Sequence, residues 1–130
     1  MNTVSIVLVS HSEEIARGLK KLLEQVQPGV AIAACGGMDG EIGTNAFAIK
    51  EAIESVYSEK GVLVLFDLGS GYLNTEMAIE MLDNQENIKI SDAPLVEGAY
   101  AAAVESGIGG SLEEVLKASQ SAKEYRKIPN

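Results

Sequence analysis

Four short apolar runs constrain this chain more than any other feature: VSIVLV (4–9), VAIAA (30–34), GVLVLF (61–66) and NIKIS (87–91). The first and third are hydrophobic throughout. That pattern suits strands buried on both faces, which occur in parallel sheets covered by helices. Helical spacing fills the gaps between runs. Ile15, Leu19, Leu22, Leu23 and Val26 recur at three- and four-residue steps, as do Ile49, Ala52, Ile53 and Val56, and more briefly Met77, Ala78, Met81 and Leu82. Two further helices are predicted near 95–106 and 112–126, the second opened by a Ser111–Glu114 capping box. Thr44 is placed to cap the second helix. The alternation predicts an α/β fold: an open, mainly parallel four-stranded sheet, order 2-1-3-4, with helices on both faces. At 130 residues, one domain spanning 1–130 is expected.

In such sheets ligands bind beyond the carboxyl ends of the strands, where the strand order reverses. The chain's one histidine, His11, follows the first strand in VLVSHSEE (7–14). CGGMDGEIGT (35–44) follows the second strand and DLGSG (67–71) the third. The order 2-1-3-4 would make strands one and three neighbours, with His11 and Asp67 facing one crevice. A neutral imidazole is a nucleophile near neutral pH. A carboxylate bonded to one ring nitrogen fixes the tautomer and aims the other nitrogen outward. Glycines 36, 37, 40 and 43 would let backbone N–H groups approach an oxyanion. Helix N-termini near Ser12, Thr44 and Ser70 favour negative charge in the same place. The sum resembles a site for a histidine-bound phosphoryl group. Arginine occurs only at 17 and 126, so neutral donors rather than arginine forks would hold a group that must be released. The same residues also fit plainer roles: Asp67 as a helix cap, the glycine loops as turns, Cys35 as a small buried hydrophobe.

Rival phosphate chemistries fail on the residues. There is no G-x-x-x-x-G-K-[ST] loop, and no Cys-x5-Arg cradle follows Cys35. Asp67 is where a receiver domain carries its phosphorylated aspartate, but the acidic pair required after the first strand reads SHS here. A single histidine rules out a histidine-rich metal site, and no metal is expected. The net charge of −9, from 19 acids and 10 bases, argues against nucleic acid and suits a basic protein partner. No apolar run approaches the ~20 residues that span a bilayer, so membrane insertion is not expected. No signal peptide is read at the N-terminus, and one cysteine makes a cytoplasmic location the default.

VSIVLVSHS, GGMDGEIGT, FDLGSGYLNTEMA and APLVEGAYAAAVESGIGGSLEEV, taken together and in order, resemble the IIA domain of the mannose-type phosphotransferase system. More closely, they resemble the phosphotransfer (DhaM-type) subunits of phosphotransferase-dependent dihydroxyacetone kinases. The resemblance covers about residues 4 to 120. It implies that His11 is the phosphorylated histidine and Asp67 the carboxylate that orients it. It matches Gly36, Gly37, Thr44 and Leu68, Gly69 and Ser70 to the loops around the phosphoryl group. It implies phosphocarrier HPr as donor, charged from phosphoenolpyruvate through enzyme I. The implied acceptor is the nucleotide-carrying (DhaL-type) kinase subunit, whose bound ADP becomes ATP, with no cofactor on this chain itself. Members are usually homodimers. LGSG at 68–71 departs slightly from the LGSA expected. No HPr-like, enzyme I-like or IIB part follows the IIA-like part, so separate carriers are expected. That favours a stand-alone kinase subunit over a IIA component of a mannose-type sugar permease, or over a regulatory module that keeps only the fold.

The charge generates a prediction about docking. Met38, Ile42 and Leu73 are expected as exposed apolar contacts near the site, ringed by Glu13, Asp39 and Glu41. Acids there would steer a basic carrier and set its on-rate more than its affinity. Phosphoryl transfer from HPr should slow steadily with added salt, and Asp39→Lys with Glu41→Lys should slow it further without unfolding the protein. Transfer rates indifferent to salt and charge reversal would assign the acidity to solubility alone.

Overall fold

A computed structural model describes residues 2–129. Its elements run β1 (Ser5–Ser10), α1 (Glu13–Val26), β2 (Ile32–Gly36), α2 (Ala46–Ser55), β3 (Val62–Phe66), α3 (Gly69–Glu80), β4 (Ile88–Ser91), α4 (Leu95–Gly107) and α5 (Leu112–Gln120), then a 3₁₀ turn at Ser121–Glu124. The strands form one sheet of order β2-β1-β3-β4, parallel at every pairing. This is the expected architecture. The 112–126 helix differs: its α-helical part ends at Gln120 and tightens into the 3₁₀ turn, a common way to finish a helix.

The two central strands carry the burial. Every residue of β1 is buried, as are four of the five in β3, because helices cover both faces. Val4, Ile6 and Leu8 pack with Leu19 and Leu23 of α1, Ala99, Ala102 and Ala103 of α4, and Val115 of α5. Val7, Val9, Val62 and Val64 point the other way, onto Ile49 and Ile53 of α2 and Ala78 of α3. The alternation along β1 thus divides one apolar run between two cores.

Two helical stripes sit differently from their sequence periodicity. Ile15 and Leu22 of α1 are exposed, and the buried face is Ala16, Leu19 and Leu23. In α3, Met77 is exposed, as is the C-cap Met81, while Gly71, Thr75 and Ala78 are buried. A Cβ on Gly71 would lie 3.2 Å from the Phe66 Cβ, so small residues let α3 lie close to the sheet and leave its larger side chains outside.

The caps show how local chemistry fixes the ends. Ser12 caps α1 by accepting from the Ile15 N–H, and Ser111 with Glu114 completes the capping box of α5. Asn45, not Thr44, caps α2: its side chain accepts from the N–H groups of Phe47 and Ala48. An aspartate-like amide one residue nearer the helix reaches those donors.

The double-sided core makes β1 the most sensitive element. Leu8 is wholly buried, so Leu8→Ala should cost about 3 kcal/mol, the usual scale for an emptied leucine site. Ser111→Ala, which removes an exposed cap, should cost about 1 kcal/mol. Urea unfolding of the two variants measures the difference.

Candidate active site

The parallel ladder places the candidate residues. β1 and β3 are paired with Val9 opposite Phe66, and the Asp67 N–H donates to the Val9 carbonyl at 3.1 Å. His11 and Asp67 therefore leave adjacent strands at the same level, at the point where the strand order reverses.

Asp67 accepts four hydrogen bonds. Oδ1 takes one from His11 Nδ1 at 2.9 Å and one from the Leu68 N–H at 2.7 Å. Oδ2 takes one from the Ser10 hydroxyl at 2.7 Å and one from the His11 N–H at 3.0 Å. Partial burial pushes this carboxyl up, but the bonds from the His11 ring, Ser10, the His11 N–H and the Leu68 N–H outweigh it and hold Asp67 below the ordinary aspartate range. An anionic Asp67 is an acceptor only, so the proton between it and the ring sits on Nδ1. That tautomer leaves a lone pair on Nε2, which faces the Ser70 hydroxyl at 2.5 Å. The His11 side chain is 17% exposed, so the ring is held but reachable. Asp67 does not cap α3: its N-cap is Leu68, which offers no side-chain cap.

The remaining candidates form the walls. Gly36 closes β2 against the turn after β1, where a Cβ would stand 2.7 Å from the Ser10 carbonyl oxygen and 2.8 Å from that of Ser12. Only glycine allows that approach. Gly37 has φ +79°, and its N–H donates to the Gly43 carbonyl, while the Gly43 N–H donates to the His11 carbonyl. Between them, Met38 and Glu41 exchange both backbone hydrogen bonds around Asp39 and Gly40, both at positive φ. This is the Asp-Gly turn of a tight hairpin. The glycine loop thus spends the N–H groups of Gly37 and Gly43 on its own folding and on His11, instead of presenting them to an oxyanion. Thr44 meets α3: its Oγ1 accepts from Asn74 Nδ2 at 2.5 Å. Gly69 and Ser70 open α3, whose first-turn N–H groups have no side-chain cap. The structure therefore gathers His11, Asp67 and Ser70 in direct contact. It sets Gly36 at the end of β2, Gly37 and Thr44 in the loop that follows, and Gly69 at the start of the helix beside the ring.

Three residues were missed from sequence: Ser10, Asn45 and Asn74. Ser10 left a signal, since it is a buried hydroxyl ending an apolar strand. Asn74 left none, because its partner lies 30 residues away. Cys35 is no competing nucleophile, as burial pushes its thiol up to about 11.

Fold, motif order and site residues together define a IIA component of the mannose-type phosphotransferase system. The chain belongs to that family, described as EIIA-man, PTS system fructose IIA component, which matches residues 5–116. It is similar to the phosphoryl donor subunit DhaM of PEP-dependent dihydroxyacetone kinase 2 from Listeria innocua, at 43% identity over 88% of this chain and 94% of the relative. It is also similar to the phosphotransferase subunit DhaM of the PTS-dependent dihydroxyacetone kinase of Lactococcus lactis, at 41% identity over 87% and 90%. Among solved structures, the protein EF1359, of unknown function, superposes with a TM-score of 0.82 at 35% identity, covering 93% of this chain and 95% of that one.

Because Asp67 titrates lower in the folded than in the unfolded chain, its bonds contribute stability above the unfolded pKa, and that stability is lost as pH falls through the folded value. Asp67→Asn should therefore be less stable than the parent near pH 7, with the gap closing in acid below about pH 4. Urea midpoints measured across that range provide the check.

Proposed function

We propose that this chain is a phosphoryl carrier that takes a phosphoryl group from HPr onto His11 Nε2 and gives it to ADP held by the nucleotide-binding subunit of a dihydroxyacetone kinase. One observation carries the chemistry: Asp67 occupies Nδ1, leaving Nε2 as the nitrogen at the mouth of the site, against a hydroxyl at the uncapped start of α3. The relatives named DhaM, phosphoryl donor subunits of dihydroxyacetone kinases, support the choice of acceptor.

In the first step the Nε2 lone pair attacks phosphorus, an N–P bond forms on His11, and the N–P bond on the donor's histidine breaks. The ring becomes cationic, and Asp67 stabilises that charge through Nδ1–H. In the second step an oxygen of the ADP β-phosphate attacks phosphorus, the bond to Nε2 breaks, and His11 returns to the neutral Nδ1–H form. Ser70 turns its hydroxyl from Nε2 to a phosphoryl oxygen, and the first-turn N–H groups of α3 add dipole stabilisation. Gly36, Gly37, Thr44 and Gly69 shape the walls and bear no charge, so the group is held without being trapped.

The surface around the ring fits brief docking. Met38, Ile42, Leu68 and Leu73 are exposed, as are Glu13, Asp39 and Glu41, and Glu13, Glu41 and Ile42 line one cleft. Closing two such surfaces excludes water from the phosphoramidate. The reading includes a homodimer acting in the cytoplasm, with residues 1–130 as one domain. No helix among the described residues is long and apolar enough to cross a membrane.

The test is incubation with phosphoenolpyruvate, enzyme I and HPr, then with an ADP-loaded kinase subunit or a IIB domain. His11→Ala should fold and take no label, since no other imidazole exists to replace it. Asp67→Asn should transfer about 10²- to 10⁴-fold more slowly. Acid-labile label persisting in His11→Ala would refute the nucleophile. Delivery to the IIB domain in place of ADP would make the chain a permease component.

A further inference from the structure

Ser10 is the last residue of β1, and it is wholly buried. A serine hydroxyl has one proton to give and lone pairs to receive with. Here the proton goes to Asp67 Oδ2 at 2.7 Å, and the oxygen accepts the Ser12 N–H at 3.0 Å. Ser12 is in turn the N-cap of α1. The hydroxyl thus joins three things: the end of β1, the carboxylate after β3 and the N-cap of α1.

A carboxylate on a single-bonded side chain can rotate. With only the ring and backbone N–H groups as partners, the carboxylate has more freedom to tilt out of the imidazole plane. The Ser10 hydroxyl adds a short side-chain bond to Oδ2, beside the His11 N–H on the same oxygen, and so resists that tilt. Besides Asp67, the charged groups on the elements around the ring include Glu13, Glu14 and Arg17 of α1, Asp39 and Glu41 of the β2–α2 loop and Glu76 of α3, with Arg17 bonded to Glu13 and Glu76 accepting from Tyr72. Of all these, only Asp67 is hydrogen-bonded to the ring.

The geometry points to Ser10 as a positioning residue of the phosphoryl-transfer site: its hydroxyl fixes the rotation of the Asp67 carboxylate, and through it the Nδ1–H tautomer that exposes Nε2. This rests on the reading of His11 as the phosphoryl acceptor, but its first test does not. The ¹⁵N spectrum of the single imidazole, recorded on the unphosphorylated full chain above neutral pH, reports the tautomer directly. In the parent the Nδ1–H form should dominate.

Ser10→Ala should give a mixture of tautomers and slow transfer from HPr by about tenfold or more, the loss expected for one hydrogen bond to a charged group. Ser10→Thr keeps the hydroxyl and should restore both the spectrum and the rate. Ser10→Cys keeps the shape with a weak donor and should fall between, and it serves in place of Ser10→Ala if that variant does not fold. A parental ring spectrum in Ser10→Ala would overturn the inference and leave Ser10 as a cap for the Ser12 N–H alone. Ser10→Thr behaving like Ser10→Ala would overturn it too, since packing rather than the hydroxyl would be responsible. Absence of label on the parent His11 would refute the phosphoryl reading while leaving the tautomer result intact.

Discussion

The Asp67 carboxylate is the contact on which the site depends. It stands just past β3 and gathers a side chain and a backbone N–H from His11, a hydroxyl from β1 and the N–H of Leu68. Four donors around one anion are enough to keep it charged despite its partial burial. The charge then does two jobs. It holds the ends of two neighbouring strands in register, and it decides which ring nitrogen carries the proton. A neutral residue at this place would satisfy some of the same donors, but it would leave the ring free to choose its tautomer.

The fold delivers that carboxylate through burial. β1 and β3 are the strands covered on both faces, and they have the least freedom to slip, because a one-residue shift would exchange the contents of the two cores. Rigid central strands aim His11 and Asp67, while the glycine-rich loop hydrogen-bonds back to the His11 carbonyl. The loop's tight Asp-Gly hairpin presents Asp39 and Ile42 at the surface. Small residues along α3 bring the helix against the sheet, which places Ser70 beside Nε2 and turns Met77 and Met81 outward. One packing choice therefore supplies a component of the site and leaves larger apolar side chains exposed along α3.

The site combines a fixed half with an open half. Nδ1 faces an anion held on all sides. Nε2 faces a single hydroxyl and a helix start without a side-chain cap. A carrier needs that asymmetry. In the proposed mechanism the fixed half would stabilise the cation formed when the ring takes a phosphoryl group, and the open half would let that group leave. Arginine would shift the balance toward retention; here the two ring nitrogens are bonded to Asp67 and Ser70.

The sequence by itself determined the strand and helix order, the parallel sheet and the position of His11 and Asp67 at neighbouring strand ends. Those follow from hydrophobic periodicity and from where it breaks, and both are properties of the chain read in one dimension. Tertiary structure decided the rest. It chose Asn45 over Thr44 as the cap of α2, because reach to a particular N–H depends on how the loop enters the helix. It engaged the N–H groups of Gly37 and Gly43 within the fold, which composition cannot reveal. It turned Ile15, Leu22, Met77 and Met81 to the surface, because the width of a buried stripe is set by how closely the helix meets the sheet. It also made Ser10 a partner of Asp67, 57 residues away, since a hydrogen bond is specified by distance and angle in space and leaves no period in the sequence.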